Sequence, residues 1–143
     1  MTVDQLLVAF FVFLAISVVT LFIAMGLAVK HKTNAHIGTV WGFVALLLVT
    51  LYFAETLGTH YDFETTSITV HLSIAVVTSI SLPVVLTSGF LHWRGKVSLK
   101  THKVLVGIWL VMVFASLGTG GWMLSAADRK VAPGSEQAPT KAG

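Results

Sequence analysis

Four long apolar runs dominate the chain, at about 5–29, 37–58, 68–91 and 104–125, with short polar segments between them. Each run is near the roughly 20 residues that carry a helix across a hydrocarbon core about 30 Å thick. In the second run Gly38, Trp41, Ala45, Leu48, Tyr52, Glu55 and Thr59 recur at alternating steps of three and four, which puts them on one helical face. This small, aromatic and polar stripe is expected to look into a bundle, with Phe43, Val44, Leu47, Leu51 and Phe53 filling the rest of the surface. The fourth run carries His102, Trp109, Met112, Ser116 and Thr119 at helical spacing, and its Gly118, Gly120 and Gly121 permit close helix contact. In the third run Pro83 lacks an N–H, so it frees the Ser79 carbonyl and should kink its helix.

The pattern predicts an all-α integral membrane protein, an up-down four-helix bundle forming one domain over 1–127. A tail at 128–143, with Pro133, Gly134, Ser135 and Pro139, reads as disordered. The first run reads as a retained helix. Residues 1–4 carry no positive charge, and the run exceeds the roughly 7–15 apolar residues of a signal peptide. Apart from Ser17 and Thr20 it is apolar, so it is expected to pack and seal.

Composition sharpens this picture. The chain is 55% hydrophobic and only 10% charged, against about 25% charged in a soluble domain. Its surplus apolar surface must therefore face lipid. The absence of cysteine excludes disulfides, cysteine-ligated metal centres and thiol nucleophiles. The net charge of +3 does not point to nucleic acid, because the cations sit beside membrane segments and no aromatic-interleaved basic patch exists. Lys30, Lys32, Arg94, Lys96, Lys100 and Lys103 lie in loops one and three, whereas the N-terminus and loop two hold no Lys or Arg. The positive-inside rule then puts loops one and three in the cytoplasm, and loop two and both termini outside, in a bacterial cytoplasmic membrane.

The chemistry concentrates between Glu55 and His71. Between Thr33 and Trp93 the only charged side chains are Glu55, Asp62 and Glu64. Six histidines are present, all near helix ends. Imidazole is the commonest metal ligand and an axial ligand for haem. His36 and His60 are 24 residues apart, about 36 Å along a helix, so they cannot share one site. His36 and His102 open the second and fourth helices and could face each other at the inner end. His60 and His71 flank the outer hairpin. With Glu55 they make a two-histidine, one-carboxylate set suited to iron or another first-row metal, while two imidazoles alone suit haem. Glu55 and His60 are about 140° apart around a helix, so they share a face only if the helix breaks at Gly58. A carboxylate within a membrane helix is costly and often functional, which makes Glu55 a proton-relay candidate. His31 and His92 read as amphipathic residues of the headgroup zone. No hydrolase triad, phosphate-binding glycine loop or zinc-protease motif is present, and independent catalysis is not expected.

The ordered set of His36 in Lys32-Thr-Asn-Ala-His36, His60 in Thr59-His60-Tyr61, His71 in Val70-His71-Leu72 and His102 in His102-Lys-Val-Leu-Val-Gly-Ile-Trp109, followed by Ser116-Leu-Gly-Thr-Gly120, resembles the YozB-like family of small four-helix bacterial membrane proteins. The likeness spans about 30–124. It implies a role around terminal oxidases of the respiratory chain, in assembly or in haem or metal handling. The expected function is a multi-pass accessory, assembly or electron-transfer component that binds haem, or iron or copper instead, through end-placed histidines. The alternative is a cofactor-free structural subunit packed against other subunits of a larger membrane complex.

Overall fold

In the computed structural model, which describes residues 1–130, the chain is all-helical apart from two short strands. The helices are α1 (Val3–Val29), α2 (Thr33–Gly58), α3 (Thr65–Trp93) and α4 (Leu99–Ser125), each long and apolar enough to cross a membrane. All four begin in polar first turns that lie outside the greasy stretch, and on α1 and α4 those turns are capped by side chains. Thr2 and Gln5 form a reciprocal capping box on α1, and the Ser98 hydroxyl accepts the Thr101 N–H at the start of α4. The chain divides into two compact units, one built on α1 and α2 and the other on Asp62–Asp128. Each is an antiparallel helical hairpin.

In the first hairpin, α2 lays His36, Phe43, Thr50 and Leu57 along α1. These residues recur every seventh position, and the last three are buried. Leu6, Ser17 and Ala24 are the buried residues of α1. The Ser17 and Thr50 hydroxyls meet 3.2 Å apart, and Phe13 stacks on Phe53 at 5.3 Å. The stripe expected to face inward does not meet α1: Trp41, Leu48 and Tyr52 are 63%, 62% and 64% exposed, and Glu55 is exposed too. Steps of three and four define a helical face without saying which neighbour it meets.

The second hairpin follows the same plan. On α4, His102, Trp109, Ser116 and Met123 recur every seventh residue, again histidine, aromatic, hydroxyl and apolar in order. Here the expected stripe is the packed one. Trp109 is buried and its indole N–H donates to the Thr78 carbonyl at 3.1 Å. α3 runs unbroken through Pro83, and the Trp109 bond is made one residue before Ser79, whose carbonyl the proline frees.

Both hairpins turn by the same device. After α1, His31 has φ 56°, its N–H donates to Ala28 O, and Lys32 N–H donates to Leu27 O. After α3, Gly95 has φ 71°, with the matching bonds to His92 O and Leu91 O. These are paired Schellman caps, in which a left-handed residue satisfies orphan carbonyls. The strands β1 (Tyr61–Asp62) and β2 (Asp128–Arg129) pair in a two-stranded ladder where the chain passes between units. Lys130 N–H then donates to His60 O at 3.1 Å, and Arg129 pairs with Asp4. The expected tail is therefore ordered over 128–130, and its remainder lies outside the described residues.

A left-handed conformation costs a non-glycine residue roughly 1–2 kcal/mol. His31→Gly should accordingly stabilise the protein by about 1 kcal/mol in detergent unfolding, and Gly95→Ala should destabilise it by a similar amount. No change in either variant would contradict the cap assignment.

Candidate functional site

A polar side chain inside hydrocarbon has no water to bond, so it must find a partner in the protein. The histidines meet that demand in a consistent way. On α2, the His36 Nδ1–H donates to the Ala24 carbonyl of α1 at 2.8 Å. On α4, His102 Nδ1 lies 2.8 Å from the Ser88 hydroxyl of α3. The Ser88 hydroxyl also lies 2.7 Å from Val85 O, so it bridges the α3 backbone and the His102 ring. On α3, His71 Nδ1 lies 3.3 Å from the Thr119 hydroxyl of α4, and Thr119 donates to Ala115 O at 2.9 Å. His92 Nδ1–H donates to Val97 O at 3.0 Å. The carbonyl partners of His36 and His92 place the proton of those two rings on Nδ1, while the hydroxyl partners of His71 and His102 suit either tautomer.

Glycine makes room for two of these rings. A Cβ on Gly89 would stand 3.1 Å from His102 Cε1, and one on Gly120 would stand 3.0 Å from His71 Cε1. The second hairpin therefore closes with two reciprocal clasps. At its open end, His71 of α3 lies on Thr119-Gly120 of α4. At its loop end, His102 of α4 lies on Ser88-Gly89 of α3. Each hydroxyl orients a ring and each adjacent glycine lets it lie close. The Ser-Gly and Thr-Gly dipeptides, visible in the sequence, were the signal of this partnership.

Of the expected site residues, His36, His60 and Glu55 belong to the first hairpin, and His71 and His102 to the second. His60 continues the seven-residue row of Thr39, Leu46 and Phe53 and is half-buried. Its backbone carbonyl holds Lys130. Glu55 makes no side-chain hydrogen bond or ion pair among the described residues. No group of three or more His, Asp or Glu side chains gathers in metal-binding geometry among them. His92 lies on the α3 seam, three seven-residue steps from His71. Its ring is nearly parallel to that of His102, with centroids 6.2 Å apart and planes 7° apart.

Overpacking a tight contact typically costs about 1–3 kcal/mol. Gly89→Ala and Gly120→Ala should each destabilise the protein by roughly that amount in detergent unfolding. Gly118→Ala is the control, since nothing lies within 4 Å of its added Cβ, and it should be neutral or slightly stabilising. Comparison with family models, curated proteins and solved structures finds no match.

Proposed function

We propose that this multi-pass membrane protein binds haem, or iron or copper in its place, through His36, His60, His71 and His102. It would serve a respiratory-type membrane complex as an accessory, assembly or electron-transfer component. The observation that carries the reading is that Nδ1 of His36, of His71 and of His102 each meets an oxygen of the neighbouring helix. Ligating histidines characteristically donate their other ring N–H to a protein oxygen, which fixes the ring and raises its basicity. Ala24 O, Thr119 and Ser88 supply those oxygens. The close seats of His71 on Gly120 and of His102 on Gly89 limit ring rotation, which favours a ligand of fixed direction. Haem held by imidazoles supplies one-electron transfer. The protein's own part is to hold each ring in place through its Nδ1 contact. Within the first hairpin, His60 is the further donor of this reading and Glu55 its proton-relay candidate. The basic loops between α1 and α2 and between α3 and α4 favour a cytoplasmic placement in a bacterial inner membrane, with Glu55 and His60 toward the opposite side.

A second reading is favoured by the same bonds. The His71–Thr119 and His102–Ser88 contacts join helices, so a cofactor-free subunit that packs against other membrane subunits would need the same rings as clasps. An absorption spectrum with metal analysis, taken on detergent-purified protein produced with haem supply, separates the two. The first reading expects a Soret band or stoichiometric metal, lost in His71→Ala and His102→Ala. A folded protein with neither band nor metal contradicts it and leaves the clasp.

A further inference from the structure

The seam of the second hairpin leaves α4 another face, and that face begins with charge. Lys100 is nine residues from the buried Trp109. At roughly 100° per residue that is about two and a half turns, which puts it on the side away from α3. Lys103, Val104, Gly107 and Val111 lie on the same outer side. Neither ammonium makes a hydrogen bond or ion pair among the described residues. Leu99, Lys100, Lys103 and Val104 line an open hollow of about 470 Å³. Further along α4 the face is apolar and bare. Val104, Ile108 and Val111 are 54%, 57% and 70% exposed, and a Cβ added to Gly107 would meet nothing within 4 Å.

Depth and charge select the occupant. Trp93 ends α3 at the same end of the hairpin and is exposed, and an exposed tryptophan marks the level of lipid headgroups. Lys103 lies about one turn further into α4, and its flexible stem lets the ammonium reach that level. Residues 65–127 contain Arg94, Lys96, Lys100 and Lys103 but no Asp or Glu. A choline or ethanolamine headgroup would bring its own cation among these four, whereas a phosphate diester without an amine brings only negative charge. A free phosphate would leave the bare row of Val104, Ile108 and Val111 unused. A lipid covers that row with an acyl chain while its phosphate meets the lysines. The positive-inside rule accounts for cations in the loop, but not for two unpaired ammoniums set above one bare helix face.

We propose that Lys100 and Lys103 of α4 hold the phosphate of one anionic phospholipid, whose acyl chain lies along Val104, Ile108 and Val111. The site uses none of the residues of the haem reading and does not depend on it.

The test is a lipid titration of the full-length protein in detergent, read by native mass spectrometry. One phosphatidylglycerol per chain is expected, held about tenfold or more tightly than phosphatidylcholine with the same acyl chains. Lys100→Gln and Lys103→Gln should each weaken binding about fivefold, and together about 25-fold. Lys100→Arg and Lys103→Arg should keep it, which separates loss of charge from misfolding. Changing Lys30 and Lys32 together to Gln removes the same charge from the α1–α2 loop and should leave binding unchanged. Phosphatidylglycerol with a photoreactive acyl chain should label residues 104–111. Equal affinity for the two lipids, or equal weakening by the α1–α2 loop pair, would overturn the site. So would displacement of the lipid by inorganic phosphate beyond that by chloride at equal ionic strength, or labelling confined to other helices. The absorption spectrum of the same preparations keeps the two proposals apart. A haem-free protein that holds phosphatidylglycerol through Lys100 and Lys103 supports this site alone, and a haem-loaded protein whose lipid binding ignores both lysines removes it alone.

Discussion

A helix crossing hydrocarbon satisfies its own backbone, but each polar side chain it carries must still be answered by the protein. Among the described residues no buried side-chain nitrogen or oxygen lacks a partner. Most hydroxyls meet the demand locally, returning a proton to a carbonyl three or four residues back, as Thr78 does to Ile74 O at 2.7 Å. An imidazole cannot do that so easily. It reaches across to the neighbouring helix, and the neighbour must present an oxygen and a gap in the same place. Ala24, Ser88-Gly89 and Thr119-Gly120 are those places. Much of the hairpin geometry follows, because a ring that donates across a seam also sets the register of the two helices.

That constraint explains what the sequence could and could not show. Four helices, their order and their apolar cores were legible from run length alone, since lipid permits few other structures. Their ends were less so: the capped first turns at Thr2 and Ser98 are polar and fall outside the hydrophobic runs. The α4 face was read correctly, because Trp109 and its row combine bulk with hydroxyls that must bond inside. On α2 the same reasoning chose Trp41, Leu48 and Tyr52, while α1 packs on His36, Phe43, Thr50 and Leu57. Both rows are helical, and only the partner surface, with Ser17 awaiting Thr50, distinguishes them. His92 was passed over because a histidine at a helix end is so often a headgroup residue. Its distance from His71, three seven-residue steps, marks it as a seam position.

The two hairpins look like variations on one plan: a left-handed Schellman turn, then a histidine that opens the second helix and bonds back to the first. The first hairpin uses a backbone carbonyl and the second a hydroxyl beside a glycine. A hydroxyl can be removed by substitution and a carbonyl cannot, so Ser88 and Thr119 are the points at which the orientation of these rings can be altered without touching the rings. Stability and ligand chemistry draw here on the same bonds. A clasp that fixes a histidine for packing also fixes it for coordination, which is why the haem and the cofactor-free readings share their geometry.

Imidazole in water prefers the tautomer with its proton on Nε2, so the opposite preference has to be imposed by the fold. Nitrogen-15 NMR of histidine-labelled protein in detergent at neutral pH measures it directly. The bonds to carbonyl oxygens require His36 and His92 to show a protonated Nδ1 and a pyridine-like Nε2, and the proposed ligand chemistry expects the same of His71 and His102, with Ser88→Ala returning His102 toward the ordinary tautomer. Rings that carry the proton on Nε2 in the unaltered protein would contradict the clasps and the ligand chemistry built on them.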